Sequence, residues 1–163
     1  MTRVLVAFAT KNGSTEEVAS AVAATLRDGG CGVDLRRAAE LRDPLAGCDL
    51  VVIGAPLYAG RWHRDAHRFL RRHRAELGQV PVAVFGMGPR SGDEEGWRRS
   101  RGQLDRALAK RSWLTPIAIT VFGGVDPPKR RSAERRDLRD WEAIRAWAAS
   151  LPALVATAAG AEG

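Results

Sequence analysis

Five short apolar runs, separated by stretches of helical periodicity, constrain this chain more than any other feature. The runs are residues 3–9 (RVLVAFA), 32–37 (GVDLRR), 49–55 (DLVVIGA), 80–86 (VPVAVFG) and 115–122 (TPIAITVF). The first is continuous rather than alternating, as strands buried on both faces are. Residues 49–55 are the strongest strand and residues 32–37 the weakest. Between the runs, Val18, Ala19, Val22, Ala23 and Leu26 fall on one helix face, stopped by Gly29 and Gly30. Trp62, Ala66, Phe69, Leu70, His73 and Leu77 predict a second helix, Trp97, Leu104 and Leu108 a third, and Trp141, Ile144, Ala148 and Leu151 a last. Strands alternating with helices predict an α/β fold: a doubly wound, five-stranded parallel sheet with right-handed crossovers and helices on both faces, in three α/β/α layers. The 163 residues suffice for one domain with a full core but not for two. That domain is expected over residues 1–152, followed by a flexible C-terminal tail over residues 153–163.

The composition narrows the setting. No apolar run approaches the roughly 20 residues of a membrane-spanning helix, and "MTRVLVAFAT" lacks the pattern of a signal peptide. Cys31 and Cys48 show neither metal-ligand nor redox spacing, so both read as reduced packing residues of a cytoplasmic protein. The net charge is +7, and 23 of the 26 basic residues are arginine. Such a surface suits an acidic substrate, an acidic partner, nucleic acid or a membrane surface; an Arg-favouring base composition accounts for the count equally well. The basic clusters at 61–74, 90–111 and 129–139 are not interleaved with stacking aromatics, so nucleic acid is not expected.

In an open parallel sheet, ligands sit beyond the carboxyl ends of the strands. That rule selects three loops: Thr10-Lys11-Asn12-Gly13-Ser14-Thr15, Pro56-Leu57-Tyr58-Ala59-Gly60-Arg61-Trp62 and Met87-Gly88-Pro89-Arg90-Ser91-Gly92. The first joins a strand directly to a helix, whose start exposes unpaired N–H groups and partial positive charge. Hydroxyls of Thr10, Ser14 and Thr15 add donors, and Gly13 lets the backbone close around an anion. The loop matches neither the triphosphate pattern G-x-x-x-x-G-K-[ST] nor the dinucleotide fingerprint G-x-G-x-x-G, which leaves a monophosphate. The alternative is a capping box of Ser14 with Glu17, which gives Thr10 and Gly13 no role. His63 and His67 stand four apart on the predicted helix, but no third ligand accompanies them, and no metal is expected.

"ATKNGSTEEVA" resembles the FMN-phosphate loop of flavodoxin-like proteins, with their T-x-[TN]-G-x-T signature, and "DLVVIGAPLYAGRWH" resembles their second flavin loop. Within that family, "VVIGAPLYAGRWHRDAHRFLRRHRAEL" and "DWEAIRAWAASL" look most like the menaquinone-dependent protoporphyrinogen dehydrogenase branch. The resemblance implies strand order 2-1-3-4-5 and one FMN. It implies that Thr10, Lys11, Asn12, Gly13, Ser14 and Thr15 surround the phosphate. Pro56, Leu57, Tyr58, Ala59 and Gly60 would flank the ring, with Met87, Gly88 and Pro89 on its other side. Tyr58 is expected to contact the ring and Trp62 to pack in the core. Arg61, Arg64 and Arg90 are placed to grip a substrate carboxylate, a solvated, salt-bridged face being the alternative; no residue is assigned as catalytic. The implied activity is that of an FMN oxidoreductase on an acidic planar substrate such as a porphyrinogen. The alternative is a basic electron carrier or a non-enzymatic domain that binds an acidic partner. Partners are then a small-molecule redox substrate or a redox protein, with a homodimer left open. Two departures stand out. The branch carries a longer, partly apolar insertion after strand five, where this chain has the short, charged "GGVDPPKRRSAERRDLRD". Electron-carrier flavodoxins are typically acidic, and this chain is basic.

Overall fold

The computed structural model describes residues 1–89, 91–126 and 136–161. In chain order the elements are β1 (Arg3–Phe8), α1 (Ser14–Asp28), β2 (Gly32–Arg37), β3 (Leu50–Tyr58), β4 (Arg61–Trp62), α2 (Arg64–Arg72), the single turn α3 (Arg74–Leu77), β5 (Val82–Gly88), α4 (Glu94–Ala109), β6 (Ala118–Gly123) and α5 (Trp141–Ala161). The sheet order is β2-β1-β3-β5-β6, and these five strands are parallel throughout. Setting aside the two-residue β4, that is the order 2-1-3-4-5.

Each inner strand feeds two cores. Val4, Val6 and Phe8 of β1 pack with α1 and α5, including Val18, Val22, Ile144 and Leu151. Leu5 and Ala7 pack with α2 and α4, including Ala66, Phe69, Leu70 and Leu104. This double burial explains the unbroken apolar runs. β2 is the exception: it lies at the sheet edge with no fully buried residue, and its weak pattern follows. In the middle of the sheet, Gly54 pairs with Phe85, whose ring covers the place where a side chain would stand.

Trp62 is buried as expected, but not on a helix. The chain turns back after Tyr58, and β4 pairs antiparallel with β3, Leu57 opposite Trp62 and Tyr58 opposite Arg61. Ala59 and Gly60 form the two-residue turn with φ of 48° and 79°, the positive values that a tight hairpin of this kind demands. The indole Nε1 of Trp62 donates to the Ala55 carbonyl at 3.2 Å.

The histidines serve the fold. His63 caps α2, its Nδ1 accepting from the Asp65 N–H at 3.0 Å. His73 is buried, its Nε2 3.0 Å from the Leu41 carbonyl and its Nδ1 3.1 Å from Glu76. That pair ties the loop after β2 to the junction of α2 and α3. The hydrogen bond from His73, joined by one from the Leu45 N–H, holds the Glu76 carboxyl below its usual range. His67 accepts from Arg111 Nη1 at 2.9 Å through Nδ1, because a guanidinium only donates. Burial, then the Arg111 charge, lowers the His67 pKa from 6.5 to about 4.

This depression has a stability consequence. The folded pKa lies below the unfolded one, so the full stability holds above pH 6.5 and is lost as pH falls toward 4. The loss would reach ~3 kcal/mol in a fully buried site and is roughly 1 kcal/mol here, where solvent reaches part of the ring. Thermal unfolding followed by circular dichroism from pH 7 to pH 4 is expected to show a smaller drop in Tm for His67→Gln than for the wild type. Equal slopes for the two proteins would overturn it.

The last helix departs from expectation. It does not stop at Pro152 but runs on to Ala161, so secondary structure extends over most of the expected tail. Alanines at 153, 156, 158 and 159 favour helix strongly, and Val155 packs beside the α1 core. By length and mean hydropathy (1.2), Trp141–Gly160 is sufficient to cross a membrane, although Glu142, Arg145 and Ser150 interrupt its apolar run. Its inner face is committed to this fold: Ile144, Ala148 and Leu151 are fully buried in the core it shares with α1.

Candidate functional site

The carboxyl ends of β1, β3, β5 and β6 open onto one cleft of about 720 Å3. At the first of these ends, the Gly13 N–H donates to Thr10 Oγ1 at 2.8 Å. Gly13 caps α1 in the left-handed region at φ 88°, with open space where a side chain would project. A residue with a Cβ is strained there, so the tight turn requires glycine. The helix start leaves the N–H groups of Ser14, Thr15 and Glu16 without intrahelical partners. The Glu17 N–H bonds the Gly13 carbonyl at 3.2 Å.

Thr15 carries the telling detail. It is fully buried, and its Oγ1 has no hydrogen-bond partner among the described residues. Leaving a buried hydroxyl unpaired costs about 1–3 kcal/mol. A hydroxyl so placed, beside three unpaired amides at the positive end of a helix, is chemically suited to a phosphate oxygen. The capping-box alternative does not form: Ser14 is the first helical residue rather than the cap, and no side chain caps α1. The Glu17 carboxylate turns instead to Arg139, 3.1 Å away.

Three further walls complete the cleft. The β3–β4 hairpin supplies Pro56, Leu57, Tyr58, Ala59 and Gly60, and the end of β5 supplies Met87, Gly88 and Pro89. Lys11 Nζ lies 4.8 Å from the centre of the Tyr58 ring, a cation–π arrangement. α4 adds Arg99, Ser100 and Gln103. The fourth wall is the chain leaving β6, where Gly124, Val125 and Arg136 line the cleft. There Val125 pairs with Asp137, the Gly124 N–H donates to the Pro89 carbonyl at 3.2 Å, and the Leu138 N–H donates to Gly124. A Cβ on Gly124 would stand 2.2 Å from the Gly88 carbonyl oxygen, so this approach needs glycine. Arg139, its side chain 10% exposed, fastens the segment to α1. Its Nη1 reaches Glu17 and the Ser14 carbonyl, and its Nε and Nη2 grip Asp137 at 3.0 and 2.8 Å. Trp141 lies beneath it, 4.8 Å away. These carboxylates hold the guanidinium's proton more firmly still.

The expected site residues therefore sort clearly. Lys11, Ser14, Pro56, Leu57, Tyr58, Ala59, Gly60, Met87, Gly88 and Pro89 line the cleft. Thr10, Gly13 and Thr15 build the turn that leads into α1, and Asn12 is exposed at its tip. Arg61 and Arg64 do not line the cleft; both are exposed, because the hairpin reverses the chain before them. Arg90 lies outside the described residues. The arginines that do line the cleft, Arg99 and Arg136, were not singled out from the sequence. The double glycine at 123–124 was the one local signal of the fourth wall, by analogy with the other strand ends.

Fold and cleft together define an open-sheet α/β protein with its cleft at the carboxyl ends of the parallel strands. The family described as Flavodoxin domain matches residues 5–144, and this chain belongs to that family, whose members bind a flavin, typically FMN. Among curated proteins it is similar to protoporphyrinogen IX dehydrogenase [quinone] of Escherichia coli strain K12, with 24% identity over 135 residues, 82% of this chain and 75% of that protein. Among solved structures it is similar to a short-chain flavodoxin associated with a bacterial microcompartment, with TM-score 0.64 and 21% identity over 95% of this chain and 99% of the other. A flavodoxin from Streptococcus pneumoniae TIGR4 aligns with TM-score 0.63 and 20% identity, covering 93% of this chain and 99% of its own.

Proposed function

We propose that this chain is an FMN-dependent oxidoreductase acting on a porphyrinogen-like or other acidic planar substrate. The observation that carries the cofactor assignment is the buried hydroxyl of Thr15 at the start of α1, which has no partner among the described residues. Thr10, Lys11, Asn12, Gly13, Ser14 and Thr15 would hold the FMN phosphate. Pro56 to Gly60 and Met87 to Pro89 would flank the isoalloxazine ring, Tyr58 among them. FMN, when bound, supplies the electron transfer. The protein's part is placement and field: backbone amides of the Ala59–Gly60 turn offer donors to the ring, and Lys11, Arg99 and Arg136 favour negative charge in the cleft. Similarity to a protoporphyrinogen dehydrogenase supports the substrate class, and the basic lining agrees with it.

Purified protein is expected to bind one FMN, with absorbance bands between about 350 and 500 nm and quenched flavin fluorescence, and then to oxidise protoporphyrinogen IX with a quinone as acceptor. A colourless protein that leaves FMN fluorescence unchanged would falsify the cofactor assignment. One observation favours a second reading. Arg64, Arg68, Arg71 and Arg72 of α2 are all exposed, a basic helix surface that suits an acidic redox protein and a carrier role. FMN binding without porphyrinogen turnover, together with electron transfer to an acidic partner protein, would select it.

A further inference from the structure

We infer that Arg139 and Arg37 are positioning residues for the cofactor phosphate: each draws one first-turn carboxylate of α1 out of the space where the phosphate's charge would lie. This rests on the FMN assignment above and adds to it. Helix α1 begins Ser14-Thr15-Glu16-Glu17, so two acids stand in the turn that carries the buried Thr15 hydroxyl. Helical side chains lean back toward the N-terminus of their helix, which brings both carboxylates to the end of the dipole that would attract a phosphate. Acids there stabilise the empty helix, and they repel an incoming dianion. Yet neither Glu16 nor Glu17 lines the cleft, although Lys11 and Ser14 do.

Each carboxylate is held from outside the turn. Glu16 pairs at 3.4 Å with Nη2 of Arg37, the last residue of β2, and both side chains are about half exposed. Glu17 meets Arg139 Nη1 at 3.1 Å, and the same nitrogen reaches the Ser14 carbonyl at 3.4 Å. One guanidinium thus touches both the acid and the backbone of a residue that lines the cleft. Its direction is fixed: Asp137 takes Nε and Nη2, the Trp141 ring lies 4.8 Å away, and only 10% of the Arg139 side chain is exposed. The Glu17 side chain is 63% exposed, so Arg139 rather than packing sets where its carboxylate lies. The Arg37 pair is longer and more solvated, and contributes less. Arg139 also ties the segment after β6 to α1, but a wall-building role alone would serve a flavin with or without a phosphate alike.

Fluorescence titration with FMN and with riboflavin, which lacks the phosphate, separates the two roles. Arg139→Gln is expected to weaken FMN binding about 10-fold and riboflavin binding by less than about twofold, the effect of one carboxylate released beside a dianion. Arg37→Gln is expected to weaken FMN binding by only about threefold. Glu17→Gln, at an exposed position, is expected to tighten FMN binding about threefold, with riboflavin unchanged and the urea midpoint of the apoprotein equal or slightly lower. In the Glu17→Gln/Arg139→Gln double variant, FMN affinity is expected to return to within about threefold of the wild type. Unchanged FMN affinity in Glu17→Gln overturns the inference, whether or not Arg139→Gln folds. So does an Arg139→Gln loss that riboflavin shares equally, or one that Glu17→Gln fails to repair, since either makes Arg139 a fastener of the wall alone. Wild-type protein that takes up no FMN refutes the cofactor assignment instead, so the two failures are separable.

Discussion

Thr15→Val is expected to weaken FMN binding by about 10- to 100-fold while leaving riboflavin binding within twofold. The range follows from losing one hydroxyl contact to a charged phosphate, ~1.5–3 kcal/mol. Riboflavin lacks the phosphate, so it reports the rest of the cleft and serves as the internal control. The substitution also removes the buried oxygen that has no partner among the described residues. The variant apoprotein is therefore expected to be as stable as the wild type, or slightly more so, since valine matches threonine in shape and buries no polar atom. Fluorescence titration with both flavins, beside urea unfolding of the apoproteins, measures all three quantities. If FMN and riboflavin affinity fall together, the hydroxyl is a packing group and the phosphate lies elsewhere.

Gly54→Ala is expected to be the most damaging single methyl in the molecule. The added carbon would stand 1.9 Å from Phe85 Cζ and within 2.3 Å of both Cε atoms. Phe85 has nowhere to go: it is fully buried, with Phe122 at 5.5 Å and Trp147 at 6.0 Å. Gly54 pairs with Phe8 on one side and Phe85 on the other, in the middle of the parallel sheet. Overpacking at such a place costs about 3 kcal/mol or more, enough to lower the urea midpoint by 1 M or more at ordinary slopes. Trimming the ring in a Gly54→Ala/Phe85→Leu double variant is expected to return part of the loss, because the two positions share one space. An unchanged midpoint for Gly54→Ala would show that the ring sits otherwise.

The sequence carried most of the architecture, for a physical reason. Strands buried on both faces must be apolar throughout, so β1, β3 and β5 announced themselves, while β2, at the edge, was faint. Trp62 misled because it stands four residues before Ala66, a helical interval. Only the backbone sign at Ala59 and Gly60 reveals the hairpin between them, and alanine at φ 48° gives no sequence signal. That reversal is also why Arg61 and Arg64 stay outside the lining of a cleft their loop helps to form. The turn at Thr10 to Thr15 was legible because its chemistry is local: a glycine, three hydroxyls and a helix start within six residues. Arg99 and Arg136 were not, since α4 and the segment after β6 reach the cleft only through tertiary packing, and a run of arginines offers no clue to which one turns inward. Small residues after Pro152 suggest a flexible tail, yet a helix supported by alanines and by Val155 continues to Ala161.

The segment beyond β6 has one more implication, for how such a protein can acquire new parts. Val125 is stitched to Asp137, Asp126 to Arg136, and Arg139 is bolted to the first turn of α1. Chain spliced between Asp126 and Arg136 thus departs from and returns to the same two posts. Closing a longer excursion costs only ~0.6 kcal/mol for each doubling of its length. An insertion between Asp126 and Arg136 is accordingly expected to leave the pocket beside it in shape.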